Sequence, residues 1–141
     1  MIYTLDSNAC ISHLRSRGAS GVSRRLALVD NSEIVICSIV RAELLYGAVR
    51  SKNPVRNMSE VNTYLARFIS VPFEDKAATH YADIRDLLAR SGKPIGPNDL
   101  LIASIARANN LIVVTHNTGE FSRVPGLKIE DWESTGGVTN P

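Results

Sequence analysis

The sequence has few cysteines, no long apolar run and little net charge, and each shortage excludes a class of protein. Two of its 141 residues are cysteine, and both Cys10 and Cys37 lie in apolar runs, which predicts buried thiols rather than a disulfide framework. No segment reaches the ~18 apolar residues that a membrane span needs. No charged start followed by an apolar stretch indicates a signal peptide. We therefore expect a cytoplasmic protein with no membrane partner.

The motifs of several common enzyme classes are also missing. The chain contains neither Gly-x4-Gly-Lys-Ser/Thr nor Gly-x-Gly-x-x-Gly, so the nucleotide-binding α/β folds lose support. It has no CxxC motif and no Cys/His cluster that would indicate zinc. Its three histidines are scattered along the chain, which favours surface or hydrogen-bonded positions over a catalytic triad.

The remaining composition is typical of one folded domain. Hydrophobic residues make up 44% of the chain and charged residues 21%, as in ordinary globular proteins. A chain of this length buries roughly 68–70% of its unfolded surface, which is enough for a hydrophobic core without disulfide bonds or a structural metal. We expect the domain to cover residues 1–133 and the uncharged segment 134–141 to form a flexible tail.

The small net charge of +2 conceals an uneven distribution along the chain. Residues 13–67 hold nine basic and four acidic side chains, whereas residues 68–141 hold seven basic and nine acidic ones. Twelve of the sixteen cations are arginine, whose planar guanidinium suits phosphate. The first half therefore offers a candidate phosphate-attracting surface, and a solvated face without a partner is the alternative.

The hydrophobic pattern alternates between strands and helices along the chain. Apolar runs predict strands over residues 2–5, 33–37, 111–115 and 127–129, while residues 71–73 are too few to assign. Helical spacing predicts helices over residues 7–16, 20–29, 38–50, 55–69, 75–91 and 98–108. This order predicts an α/β fold with a short parallel sheet flanked by helices.

Polar residues follow two of the predicted strands, where parallel folds bind ligands. Asp6, Ser7 and Asn8 come directly after the first strand, and Thr115 and Asn117 lie at the end of the run that begins at residue 111. In such folds, ligands bind beyond the carboxyl ends of the strands, near a topological switch point. Aspartate also fills helix N-cap positions well, so capping is the alternative for Asp6.

Two further acids occupy helical positions that favour partial burial. Glu43 shares a helix face with apolar side chains, where an unpaired carboxylate costs energy, and a salt bridge to Arg50 is the alternative. Asp99 opens an almost wholly apolar helix, and an interaction with the helix dipole is its alternative. Clustered carboxylates need a cation, and oxygen ligands select a hard metal, Mg²⁺ or Mn²⁺. A magnesium site of this kind is typical of phosphoryl transfer.

Four segments of the chain carry a resemblance to a known family. They are Leu5-Asp6-Ser7-Asn8, Ala42-Glu43-Leu44, Gly96-Pro97-Asn98-Asp99 and Thr115-His116-Asn117-Thr118-Gly119-Glu120-Phe121. In this order and spacing they resemble the VapC toxins, the PIN-domain ribonucleases of bacterial toxin–antitoxin pairs. The resemblance extends over nearly the whole chain. It implies a PIN-like three-layer sandwich, a homodimer, Mg²⁺-dependent hydrolysis of RNA phosphodiesters and a cognate VapB-type antitoxin.

The resemblance also implies roles for individual residues. Asp6, Glu43 and Asp99 become the acidic metal cluster, and Asn117 takes a fourth position that holds Asp in some members. Asp6 and Asp99 would hold the metal directly, whereas Glu43 and Asn117 would act through water. Three further polar residues would line the site: Ser7, Asn8 and Thr115. Mn²⁺ could substitute for Mg²⁺ at such a site.

The substrate and the rival functions stay open at this point. Relatives with the same Asn-Thr-x-Glu-Phe segment cut tRNA in the anticodon stem-loop, notably initiator tRNA, which makes tRNA the favoured substrate. One alternative is a non-catalytic module whose acidic pocket binds a basic peptide. Another is a metal-dependent phosphatase or receiver-like protein, although Asn8 departs from the Asp-x-Asp motif of the phosphatases.

Overall fold

Five short strands form one parallel sheet in the computed structural model, which describes residues 1–133. In chain order they are β1 (Tyr3–Leu5), β2 (Ile34–Cys37), β3 (Ile69–Val71), β4 (Ile112–Val114) and β5 (Lys128–Glu130). Their spatial order is β3-β2-β1-β4-β5, and all four pairings are parallel. The predicted α/β fold is confirmed.

Seven helices connect and flank the strands in the described part of the chain. They are α1 (Ser7–Ser16), α2 (Gly21–Leu26), α3 (Ser38–Val49), α4 (Pro54–Leu65), α5 (Asp75–Arg90), α6 (Pro97–Ala108) and α7 (Thr118–Phe121). α3 packs against α4, and α5 packs against α6. None of the helices within residues 1–133 combines the length and apolar character that a membrane crossing requires. The predicted tail at 134–141 lies outside the described residues.

The predicted helix over residues 55–69 is too long, because its last residues belong to the sheet. α4 ends at Leu65, and Ile69 instead pairs with Val35 to start β3. The Arg41 guanidinium, which comes from α3, donates to the carbonyl oxygens of Leu65 at 3.4 Å and Phe68 at 2.8 Å. These long-range bonds hold the turn between α4 and β3, and no local sequence pattern predicts them.

Three smaller differences come from local turns. The predicted helix over residues 20–29 is shorter, since α2 covers Gly21–Leu26 with Ser20 as its N-cap. A 3-10 turn (Asn31–Glu33) precedes β2, so the strand begins one residue later than predicted. The four-residue helix α7 was not predicted, because so short a segment has no periodicity to detect.

Trp132 joins the end of the described chain to the core. Its side chain is 2% exposed, and its ring meets the Tyr3 ring edge-on with centroids 5.2 Å apart. The Arg25 guanidinium lies 4.9 Å from the Trp132 ring centroid and pairs with Glu130 at 3.3 Å. The last residues of the domain therefore stabilise β1 and α2 directly. Both cysteines are buried free thiols, as predicted.

The sheet topology positions the site at the carboxyl ends of β1 and β4. β1 lies at the centre, with β2 on one side and β4 on the other, so the chain changes direction across the sheet beside β1. Leu5 pairs with Val114 in register, which brings the residues that follow both strands to the same edge. This is the switch point at which parallel α/β folds bind ligands.

Candidate active site

Asp6 lies at the centre of the site and is held by two hydrogen bonds. Its Oδ1 accepts the backbone N–H of Ala9 at 2.9 Å, which caps α1, and its Oδ2 accepts the Thr115 hydroxyl at 2.6 Å. Capping and site formation therefore coincide at this residue. Each carboxylate oxygen has two lone pairs, so both oxygens keep capacity for a cation.

Thr115 fixes the geometry between β1 and β4 rather than facing solvent. Its side chain is buried, and besides donating to Asp6 it accepts the backbone N–H of Asn117 at 2.9 Å. The Asn117 amide nitrogen then donates to Asp99 Oδ2 at 3.1 Å. A continuous chain of hydrogen bonds thus links Asp6, Thr115, Asn117 and Asp99.

Glu43 is held by side chains from two other segments of the site. Its Oε1 accepts the Ser7 hydroxyl at 2.5 Å, and its Oε2 accepts the Asn98 amide at 3.2 Å. Within residues 1–133 it forms no ion pair, so the alternative of a salt bridge to Arg50 is wrong. Ser7 follows Asp6 and Asn98 precedes Asp99, so both contacts tie Glu43 to the other two acids.

The electrostatics show that these acids oppose each other's ionisation. Burial, followed by the negative charges of Glu120, Asp6 and Glu43, raises the pKa of Asp99 to about 6. Burial likewise raises the pKa of Asp6, against the two hydrogen bonds that lower it. A helix N-terminus favours an ionised carboxylate, but at Asp99 burial and neighbouring charges outweigh that effect. A cation among these groups would relieve the repulsion.

The donor set fits a hard divalent cation that keeps part of its water shell. Its possible donors are carboxylate, amide and hydroxyl oxygens, which suit Mg²⁺ or Mn²⁺. Within the described residues, no three His, Cys, Asp or Glu side chains are grouped to hold a metal by themselves. Magnesium is usually bound through one or two carboxylates plus waters, so a two-carboxylate arrangement is compatible with it.

Glu120 belongs to this cluster, and the sequence-based prediction missed it. From the short helix α7, its Oε1 accepts the backbone N–H of Gly96 at 2.8 Å, which anchors the loop that leads into α6. That bond is the main cause lowering the pKa of Glu120, while its charge is the largest electrostatic influence on Asp99. The signal was available, since Glu120 lies within the segment that includes Asn117.

Asn8 lines a cavity beside the acids rather than contacting them. The cavity has a volume of about 450 Å³, and Ala9, His116, Asn117 and Glu133 complete its lining. The His116 imidazole is exposed and pairs with Asp131 at 3.0 Å. The structure therefore brings Asp6, Ser7, Glu43, Asp99, Thr115 and Asn117 into one hydrogen-bonded cluster, with Asn8 at its rim.

Comparison with known proteins identifies the family. The model of the PIN domain matches residues 3–127. The chain is 42% identical over 130 residues to the tRNA(fMet)-specific endonuclease VapC of Shigella flexneri, covering 92% of this chain and 97% of the relative. The chain belongs to the PIN-domain family. Within that family it is a VapC-type ribonuclease, since it is also 41% identical over 133 residues to ribonuclease VapC2 of Rickettsia felis, covering 94% and 99% of the two chains.

Solved structures support the same assignment for this PIN domain. It superposes on DNA-bound VapBC from Salmonella typhimurium with a TM-score of 0.87 and 39% identity, covering 94% of this chain and 98% of that one. It superposes on VapBC2 from Rickettsia felis, bound to a promoter DNA fragment, with a TM-score of 0.88 and 40% identity, covering 94% and 99%. The expected fold and family are both confirmed.

Proposed function

We propose that this chain is a Mg²⁺-dependent endoribonuclease toxin that hydrolyses RNA phosphodiesters, with tRNA as its substrate. The observation that supports it is the cluster of Asp6, Glu43 and Asp99 at the switch point of a PIN fold, where burial and neighbouring negative charges raise the pKa values of Asp6 and Asp99. The name of the Shigella flexneri relative favours initiator tRNA, and the anticodon stem-loop is the proposed target. Its cleavage would inhibit translation.

Each residue of the cluster has a proposed role. Asp6 and Asp99 would hold the metal directly, while Glu43 and Asn117 would hold or orient its waters. A bound Mg²⁺ would lower the pKa of a coordinated water and neutralise charge that develops on the phosphate. Glu43 would accept the proton of the attacking water, and the hydrogen bonds from the Ser7 hydroxyl and the Asn98 amide to its carboxylate support this role.

The remaining residues maintain this arrangement. Thr115 holds Asp6 through its hydroxyl and holds the backbone of Asn117, so one side chain sets the spacing between the ends of β1 and β4. Glu120 anchors the loop before α6 at Gly96 and thereby places Asp99. Asn8 lies at the rim, where it can contact the nucleotide beside the cleaved bond.

The direct test is cleavage of purified tRNA by purified protein. We expect the wild type to cut in the presence of Mg²⁺ and to be inactive in EDTA, with Mn²⁺ restoring activity. Asp99→Asn and Asp6→Asn, which keep the size of each side chain but remove its charge, should each lose activity by at least about 100-fold. If wild type and Asp99→Asn are equally inert with both metals, the nuclease assignment is wrong and a binding module is favoured.

The cellular context follows from the same assignment. We propose a cytoplasmic homodimer that is held inactive by a VapB-type antitoxin, because both solved structures described above are VapBC complexes. Light scattering measures the mass of the purified chain, and co-expression with the neighbouring antitoxin gene tests whether growth arrest is relieved. Mapping of cleaved ends across cellular RNA after expression identifies the substrate, and cuts outside tRNA would contradict the proposed target.

A further inference from the structure

The cavity that Asn8 lines adjoins the acids at two points. Its lining includes Ala9, whose backbone N–H donates to Asp6, and Asn117, whose side-chain amide donates to Asp99. Its volume of about 450 Å³ falls within the roughly 300–1,000 Å³ that small-ligand pockets span. A group bound in this cavity, which we call the rim cavity, would therefore lie next to a phosphate held at the acids.

The charges around the rim cavity disfavour a phosphate inside it. The lining that residues 1–133 supply contains no lysine or arginine, and Glu133 contributes a carboxylate. Asp131 adds a second negative charge nearby, since it is among the groups that raise the pKa of Asp6. An anion there would lose its hydration without gaining a cationic partner. An uncharged part of a nucleic acid, namely a base, fits this environment better.

His116 offers an aromatic surface to such a base. Its Nδ1 is hydrogen-bonded to Asp131 Oδ2 at 3.0 Å, while Asp131 Oδ1 accepts the backbone N–H of Glu133 at 2.9 Å. The imidazole is thus held at one edge, yet its side chain is 70% exposed. Unpaired RNA bases stack on aromatic side chains, histidine included. His116 can therefore stack on a base without first having to be ordered.

Asn8 and Glu133 supply polar groups that can distinguish one base from another. The Asn8 amide forms no hydrogen bond with another of residues 1–133, so its donor and its acceptor are both available. The Glu133 oxygens accept the Ser12 hydroxyl at 2.6 Å and the Val22 backbone N–H at 3.1 Å, and each retains a lone pair. A carboxylate only accepts hydrogen bonds, so it favours an amino group over a carbonyl oxygen.

We propose that the rim cavity binds the unpaired base beside the cleaved bond, with His116 stacking on it and Asn8 and Glu133 selecting adenine or cytosine over uracil. Adenine and cytosine carry an amino group where uracil carries a carbonyl oxygen. The proposal rests on the proposed ribonuclease function and adds a specificity determinant to it, because phosphate contacts alone carry no base information.

The test uses an anticodon stem-loop RNA in which single loop positions are changed. Each loop nucleotide is replaced in turn by an abasic nucleotide, by adenosine or by uridine. Affinity is measured in EDTA with the full chain, and the cut is mapped separately with Mg²⁺. The variants are His116→Ala, His116→Phe and Asn8→Ala, and Asn62→Ala serves as an exposed amide control that does not line the cavity.

For the wild type, we expect one loop position beside the cut at which an abasic nucleotide weakens affinity about tenfold, which is the effect of losing one stacked base. His116→Ala should reduce this ratio to about twofold, whereas His116→Phe keeps an aromatic face and should restore it to within about threefold of wild type. Asn62→Ala should leave the ratio unchanged.

Asn8→Ala separates base selection from stacking. We expect the abasic effect to persist in this variant, while the preference for adenosine over uridine at the same position falls from about tenfold to about twofold. The melting temperatures of all variants should match the wild type, because Asn8 and His116 are exposed and an exposed ion pair contributes little to stability.

Three results would overturn the assignment of the rim cavity. They are the absence of any such loop position, an equal loss of affinity of His116→Ala for the abasic and the unmodified RNA, and unchanged RNA affinity with lost binding of the purified antitoxin. The last would make the occupant a protein. Base-dependent binding without cleavage in Mg²⁺ or Mn²⁺ would instead refute the nuclease function and leave the base site standing.

Discussion

Asp6 caps α1 with one carboxylate oxygen and accepts the Thr115 hydroxyl with the other. Asp99 opens α6 in the position that a helix dipole favours, yet burial and neighbouring charges raise its pKa to about 6. At single residues, the ordinary structural role and the proposed catalytic role are therefore compatible, and the former does not exclude the latter. What distinguishes a site is the shared environment of several acids.

Asp99→Asn should stabilise the metal-free protein at neutral pH. The folded-state pKa of about 6 lies above the ordinary value of 3.8, so the native state binds more protons than the unfolded chain between these values, and stability falls as pH rises through this window. Asparagine removes that penalty and can still accept the Asn117 hydrogen bond. We expect a gain at pH 7 of less than about 2 kcal/mol, because solvent screens a half-buried group.

Urea unfolding in EDTA at pH 4 and pH 7 measures this effect. The difference between Asp99→Asn and wild type should be present at pH 7 and absent near pH 4, where Asp99 is protonated in the folded state. An equal difference between Asp99→Asn and wild type at both pH values would show that burial and neighbouring charges do not raise the pKa of Asp99 in the native state.

We expect Ser7 to contribute to the cleavage rate through its hydroxyl group alone. Ser7→Ala removes the donor that fixes Glu43 Oε1, and loss of an orienting partner typically costs 10–100-fold in metal affinity or activity, so we expect roughly a tenfold fall in kcat. Ser7→Thr keeps the hydroxyl and should stay within about threefold of wild type. Single-turnover cleavage measures both variants, and an equal loss in both would point to packing instead.

The positions at which the helices begin determine where the acidic side chains of the site lie. α1 and α3 start directly after β1 and β2, so Asp6 caps α1 and Glu43 lies in the second turn of α3, while Asp99 lies in the first turn of α6. Proline at the first position of α6 fixes the start of that helix, and Glu120 holds the preceding loop at Gly96. The end of α4 is set differently, by the guanidinium of Arg41.

Two helical glycines should respond oppositely to alanine. A Cβ on Gly21 would lie 2.3 Å from the Trp132 carbonyl oxygen, which is backbone, so Gly21→Ala should destabilise the fold by about 1–3 kcal/mol. A Cβ on Gly47 meets no neighbour within 4 Å, so Gly47→Ala should stabilise α3 by up to about 1 kcal/mol. Denaturant unfolding compares the pair, and similar values would show that the close approach at Gly21 relaxes freely.

Across the whole molecule, the location of the charged side chains is more informative than their total. The acids that approach one another lie at the carboxyl edge of the sheet, while Arg15, Arg17, Lys52 and Arg56 line a cavity that Glu43 also lines. The net charge of +2 therefore says little about partners. A bound divalent cation would make the active edge more positive than the sequence total indicates.

We propose that residues 1–133 form the autonomous domain. A chain that ends after Glu133 keeps Trp132 in the core and keeps the Glu133 carboxylate on Ser12 at 2.6 Å and on the Val22 backbone N–H at 3.1 Å. It should unfold at the temperature of the full chain. A chain that ends after Asp131 loses these contacts and should be destabilised by about 3–5 kcal/mol.

Thermal unfolding of both truncations tests this boundary. If the chain ending after Glu133 also loses several degrees of melting temperature, the domain extends into the last eight residues. If the shorter chain is as stable as the full one, the packing of Trp132 against Tyr3 contributes little to the fold.

The family, the order of the elements and three of the acids could be predicted from the chain alone. Alternating hydrophobic patterns indicate the order of strands and helices. Asp6, Glu43 and Asp99 lie in segments whose residue types and spacing are typical of the PIN-domain family. Glu120 was missed because a four-residue helix has no periodicity, and the boundary at Leu65 was wrong because a distant arginine determines it. The boundary at Leu65 has no local signal, whereas Glu120 lies in the motif segment that includes Asn117.

The sequence by itself determined the order of the elements and which side chains can hold a cation, because hydrophobic periodicity and donor types are local properties. Only the tertiary structure decided which acids interact electrostatically and which cations line one cavity. It alone also showed that Thr115 links the ends of two strands. These depend on sheet order and register, which bring residues more than a hundred positions apart into contact.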